Sequence, residues 1–214
     1  MIEAFATVFT PVNLVFLLKG LQTTLYIAFM AIFFSIFIGI VLALGKGGQN
    51  RIVARLCSAY IEFFRNVPNL LVILAMRFLV PMKAIDTGIL SMTLFTSAVI
   101  AEIVRGGLNS IKKGQYEAAY SQGFSVGGAL KSIILPQALR NMLPSLLSQF
   151  ITVIKDTSFL WAVGIEELTG KGMIIMGRFA NGTQVFLLFT VLLLMYFTVN
   201  FSLSLVVRTQ KARY

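Results

Sequence analysis

Residues 21–44 run for 24 positions without a charged side chain, and residues 185–207 run for 23. A helix needs roughly 20 mostly apolar residues to cross the hydrocarbon core of a bilayer. A chain with two such runs folds in a membrane. The composition agrees, since only 12% of the 214 residues are charged against about 25% in soluble domains. The first run is too long, and too little preceded by positive charge, for a cleavable signal peptide. Hydrophobic runs and the charges between them predict five crossings, near 20–44, 57–80, 86–105, 139–165 and 184–207. The fold class expected is an all-α polytopic membrane protein with one domain over residues 1–214. The middle three crossings are less purely apolar and should face protein or water.

Lysine and arginine placement sets the sidedness. With the amino terminus outside, the cytoplasmic segments hold Lys46, Arg51, Arg55, Arg105, Lys112, Lys113, Lys131, Arg140, Arg208, Lys211 and Arg213. The outer segments hold only Lys19, Lys83, Lys171 and Arg178. This asymmetry predicts a cytoplasmic carboxy terminus, and it accounts for most of the +10 net charge without nucleic acid. Cys57 is the only cysteine and histidine is absent, so cysteine–histidine metal sites and histidine acid–base catalysis are not expected.

The polar insert at residues 106–138 is large for so apolar a chain. It reads as two short helices with a bend. Glu117 suits a helix start, Gly123 can take the positive φ that ends a helix, and Ser125 can cap a second one. Val126, Leu130, Ile133 and Ile134 recur at helical spacing, and Pro136 breaks that helix or opens the next. Pattern alone leaves two readings open, a knob projecting from the membrane or a segment resting on headgroups.

Glu117-Ala118-Ala119, Gly123, Ile133 and Leu135-Pro136, with three, nine and one intervening residues, resemble the EAA loop of the membrane subunits of bacterial ABC importers. The likeness covers nearly the whole chain. Residues 18–25 (LKGLQTTL) resemble the opening of that family's first crossing, and Phe64-Arg65-Asn66-Val67-Pro68 resembles its second. Residues 101–107 (AEIVRGG) and Lys155-Asp156-Thr157-Ser158 resemble the polar amino acid branch, the histidine/glutamine/glutamate permeases, with Phe159 in place of an expected leucine. The resemblance implies a type I importer permease fold in the bacterial inner membrane. It implies two ATPase subunits, a second permease copy or similar chain, and an extracytoplasmic amino-acid-binding protein as partners. It also implies that Glu117, Ala118, Ala119 and Gly123 form the seat for an ATPase, with Ile133, Leu135 and Pro136 completing the loop.

No Gly-x-x-x-x-Gly-Lys-Ser/Thr loop occurs. ATP and magnesium are therefore expected on partner chains, with no cofactor, metal or enzymatic activity in this one. The competing reading is an autonomous ion-coupled carrier or channel for small polar solutes.

Ionisable groups inside a membrane are costly and mark candidate sites. Glu62, Arg65, Asn66 and Asn69 fall at i, i+3, i+4 and i+7, one face of a helix that Pro68 should kink. An amino acid zwitterion needs a guanidinium for its carboxylate and acceptors for its ammonium. Arg65, Asn66 and freed carbonyls could supply both, or Glu62 and Arg65 could simply neutralise each other. Lys155 lies ~24 Å along the fourth crossing, and the family likeness favours substrate or gate roles for Asp156, Thr157 and Ser158. Glu102 and Arg105 read as a structural ion pair. The outer loop 166–184 is either a flexible contact surface or a re-entrant turn. The run Gly182-Thr183-Gln184-Val185 resembles glutamate- and glutamine-type permeases, and that resemblance favours such substrates.

Overall fold

The computed structural model describes residues 2–179 and 181–211, with side chains for 4–179 and 181–205. Arg213 lies outside the described residues, and the side chains of Arg208 and Lys211 are not described. Every regular element among the described residues is helical. A short helix, α1 (Ile2–Val8), leads into α2 (Pro11–Gly47). The helix opens well before residue 20 because Thr10 and Pro11 form a strong start. The Thr10 hydroxyl accepts from the Asn13 N–H at 3.2 Å, and Pro11 occupies the first turn, where no donor is needed. At ~1.5 Å per residue its 37 residues far exceed the roughly 30 Å hydrocarbon core. The ends of α2 therefore stand outside the apolar layer.

The second expected crossing is not one kinked helix. It divides into α3 (Arg51–Asn66) and α4 (Asn69–Leu79), which meet at 107°. Pro68 forces Val67 into extended backbone (φ −94°, ψ 138°). The Val67 N–H closes α3 on the Phe63 carbonyl, and the Leu71 N–H opens α4 on the Pro68 carbonyl. With the ladder interrupted on both sides, tertiary packing sets the angle. Ile61 is anchored among Ala43, Ile100 and Val104, which turns α3 across the carboxy-terminal ends of α2 and α5.

Helix α5 (Ala84–Asn109) is the centre of the bundle. Its most apolar window is 67% buried, against 11% for α10 (Gly182–Lys211), which faces outward. Close approach of α2 and α5 depends on Gly39, where an added Cβ would fall 2.7 Å from the Ile100 side chain. The buried Ser35 hydroxyl donates to the Thr93 carbonyl across this seam at 3.3 Å. After α5 come α6 (Lys113–Ser121) and α7 (Val126–Ala129), then a π-helical turn (Leu130–Ile134) that runs directly into α8 (Leu135–Asp156). A 3₁₀ segment (Thr157–Val163) follows, and then α9 (Leu168–Met176). Helices α2, α5 and α10 are long and apolar enough to cross a membrane, and the α3–α4 pair adds a fourth candidate if it forms one broken span. Helix α8 has comparable length, 22 residues, but a polar face.

The segment 166–184, expected as an outer loop, is largely helix. Leu168 and Ile175 of α9 pack with Leu17 of α2 and Leu188 and Leu192 of α10. Glu167, wholly buried, caps α9. Its carboxylate accepts from the N–H groups of Thr169 and Gly170 at 2.9 and 2.8 Å, and from the hydroxyls of Tyr196 and Thr24 at 2.8 and 3.3 Å. Four donors compensate the desolvated oxygens and bind α2, α9 and α10 together. Lys171 lies 3.0 Å from Glu166, with its ammonium over the Phe16 ring.

Candidate functional site

Gly123 and Gly164 are the two positive-φ residues among those described, and Gly123 (φ 83°) forms the hinge of the insert. The Phe124 N–H reaches the Ala119 carbonyl and the Gly123 N–H reaches that of Tyr120, at 3.1 and 2.9 Å. That double closure needs a left-handed residue at position 123. The chain then re-enters helix at Ser125, whose hydroxyl accepts from the Gly128 N–H at 3.2 Å. Both sequence-read helices are present and form an elbow, with Ser125 capping the second as expected; the first starts at Lys113, so Glu117 lies in mid-helix and not at its start.

Pro136 lies in the first turn of α8 and does not interrupt the chain's helical path. The preceding π turn, in which the Leu135 N–H reaches back to the Leu130 carbonyl, widens the coil where a proline ring would otherwise crowd a carbonyl. Ile134 and Ala138 are buried with Ile111 in one cluster with Ala43 of α2 and Val104 of α5. Side chains add two ties, Gln137 to Gln115 at 3.2 Å and Asn141 to Ser110 at 2.8 Å.

Of the family-implied seat residues, Glu117, Ala118 and Gly123 are exposed, whereas Ala119 is buried and holds the elbow together. Ile133 is half-buried, while Leu135 and Pro136 are exposed. The same surface presents Tyr120, Phe124 and Val126 to solvent. Sequence reading singled out Val126 but neither of the aromatics Tyr120 and Phe124. Their signal was apolar bulk inside a segment otherwise compatible with water.

Inside the bundle the polar candidates separate into two groups. Asn69, first residue of α4, donates from Nδ2 to Oδ2 of Asp156, the last residue of α8, at 3.4 Å. A helix N-terminus and a half-buried carboxylate thereby meet at the break. Thr157 is buried, and its hydroxyl donates to the Ile154 carbonyl at 2.7 Å. Ser158 turns away with Lys155 to line a cavity of about 360 Å³ beside Thr169 and Tyr196. The tetrad 155–158 therefore faces two directions.

The second group gathers around Glu102. Lys46 and Arg105 lie at 2.8 Å and Arg65 at 4.0 Å from its carboxylate, while Lys46 also approaches Glu62 at 3.8 Å. The expected Glu102–Arg105 pair is present. Arg65 is paired with Glu102 and not with Glu62, because α3 crosses over α5. Asn66 donates back to the Glu62 carbonyl at 2.7 Å. The four residues 62, 65, 66 and 69 do not share one helix face, since the break sends Asn69 into α4. Lys46 was legible only as a loop cation; its place in the cluster comes from the length of α2.

The sequence model described as binding-protein-dependent transport system inner membrane component matches residues 35–214. The chain belongs to that family. The probable glutamine ABC transporter permease protein GlnP of Bacillus subtilis is 39% identical over 214 residues, covering 98% of each chain. The glutamate transport system permease protein GluD of Corynebacterium glutamicum is 34% identical, over 88% of this chain and 71% of its own. Among solved structures, an amino acid ABC transporter crystallised with histidines superposes with a TM-score of 0.85 at 28% identity, covering 93% of this chain and 94% of that one. The MetNI methionine ABC transporter in an inward-facing form shares the fold, with a TM-score of 0.74 at 22% identity over 94% of this chain and 99% of its own. Membership makes this chain an inner-membrane transport component.

Proposed function

We propose that the chain is the translocating subunit of an ATP-driven importer of polar amino acids, with glutamine and glutamate favoured. The observation that carries this reading is the continuity from elbow to carboxylate. Beyond the Gly123 bend, α7 passes without a break through the π turn into α8, which carries Pro144 inside it and ends at Asp156. At ~1.5 Å per residue the 22 residues of α8 form a lever ~33 Å long. Force applied to the exposed elbow arrives at the α4–α8 junction.

There the chemistry suits a zwitterion. The Asp156 carboxylate accepts the substrate ammonium, and the first turn of α4, with the Asn69 amide, receives the carboxylate. Arg65, only loosely held by Glu102, offers guanidinium donors to a carboxylate moving toward the basic end. Thr157 braces Asp156 through the helix end, and Ser158 with Lys155 belongs to the α10 side.

In this reading the five crossings are α2, the broken α3–α4 pair, α5, α8 with its 3₁₀ extension, and α10. They form one unit over residues 1–214, with the coupling elbow at 106–138. Among the described side chains, Lys46, Arg51, Arg55, Arg105, Lys112, Lys113, Lys131 and Arg140 favour a cytoplasmic elbow and an external amino terminus. Two ATPase subunits bind ATP and magnesium, a second copy or similar permease completes the path, and an external binding protein delivers substrate. The names of GlnP and GluD support the substrate class.

Reconstitution in vesicles tests this directly. Labelled glutamine or glutamate should accumulate only when the ATPase subunits, the binding protein and ATP are all supplied. Accumulation by the purified permease alone, driven by an ion gradient, would assign it to autonomous carriers.

A further inference from the structure

A cavity of about 480 Å³ lies where the elbow joins the bundle. Three helical stripes line it. Ile36, Ile40 and Leu44 come from α2, and Val104 and Leu108 from α5. Leu130 of the π turn and several leucines of α8, Leu139 among them, close the remaining side, and the lining presents no polar surface. Ile40, Leu44, Leu130 and Leu139 are each 40% exposed or more, so the slot opens sideways and is not a sealed void.

Its depth is set by its walls. Leu44 stands two residues before Lys46, and Leu108 four residues before Lys112, so the mouth lies at the basic end of the bundle. From Leu44 to Ile36 the slot descends ~12 Å at ~1.5 Å per residue, most of one leaflet of a core roughly 30 Å thick. With no polar group in its lining, the slot is too apolar for an amino acid.

We infer that this slot binds one acyl chain of a phospholipid from the leaflet at the basic end, with an anionic headgroup held at its mouth. Lys131, next to the lining residue Leu130, and Lys112 and Lys113, just beyond Leu108, are all exposed and supply the charge that an anionic headgroup requires. The chain fills the gap between α2 and the π turn. Without it, Leu130 and Leu139 would border empty space, and each wall would forfeit its dispersion attraction.

Photolabelling tests the assignment. The protein is reconstituted in phosphatidylcholine vesicles containing phosphatidylglycerol with a diazirine in its acyl chain, then irradiated and mapped by peptide. The label should concentrate in residues 36–44 and 130–146, above its level on the outward face of α10. Ile40→Trp and Leu139→Trp, each filling the slot from a partly exposed position, should remove most of that label while leaving the α10 label unchanged. Lys131→Glu should reduce labelling by phosphatidylglycerol more than labelling by a phosphatidylcholine probe of the same chain. Labelling of the slot no stronger than that of α10, label undiminished in both tryptophan variants, or cross-linking of a second protein copy into the slot would overturn it. The readout needs neither ATP nor substrate, so its failure leaves the transport reading standing.

Discussion

Asp156→Asn is expected to abolish uptake while leaving the protein inserted and assembled. Asparagine has nearly the shape of aspartate and can still pair with Asn69, so the α4–α8 junction persists. What disappears is the negative charge that, in the proposed site, faces the substrate ammonium. Removing one partner of a buried, hydrogen-bonded charge pair costs about 2–5 kcal/mol, and ~1.4 kcal/mol is tenfold. Uptake should therefore fall at least ~30-fold. Substrate-stimulated ATP hydrolysis should fall with it, while basal hydrolysis and the yield of assembled complex stay near wild type. Uptake within a few-fold of wild type would return Asp156 to a purely architectural role.

Gly123→Val is expected to uncouple ATP hydrolysis from transport. At φ 83° a β-branched residue is a steric outlier, and holding it there costs about 1–3 kcal/mol. An added Cβ meets nothing within 4 Å, so the cost is borne entirely by the backbone. The elbow relieves it by unwinding the closure at the end of α6. ATP should still be hydrolysed and the protein still inserted, but uptake should drop about tenfold or more, as ~1.4 kcal/mol of lost coupling would give. Gly123→Asn, which tolerates the left-handed region, should keep most of the uptake. Two variants that behave alike would mean that backbone geometry at this position does not matter to coupling.

Much of this architecture could be read from local signals. The cores of α2, α5 and α10 follow from apolar runs, the hinge from Gly123, the second elbow helix from Ser125, and the Glu102–Arg105 pair from its three-residue spacing. What stayed hidden depends on packing between distant segments. Pro68 announced a disruption, but the 107° turn arises because Ile61 docks α3 across α2 and α5. Asn69 and Asp156 are 87 residues apart in sequence, and no periodicity links them. Likewise, Glu167 falls within the expected outer loop 166–184, with no local signal of burial. It is buried because Thr24, 143 residues away, and Tyr196 converge on it. The π turn before Pro136 was equally silent, since one extra residue per coil leaves no mark on so short a hydrophobic pattern.

In the proposed importer an ATPase pushes on the α8 lever at the exposed elbow. A cysteine in place of Ala118, with Cys57 (the only native cysteine) changed to alanine, tests it most directly. Co-expressed with ATPase subunits carrying cysteines along their membrane-facing groove, this variant should form a disulfide-linked adduct under mild oxidation, and the adduct should arrest uptake until it is reduced. If residue 118 gives no adduct with any groove position, yet remains open to a water-soluble maleimide in the complete, transporting complex, the elbow is not the point where force enters.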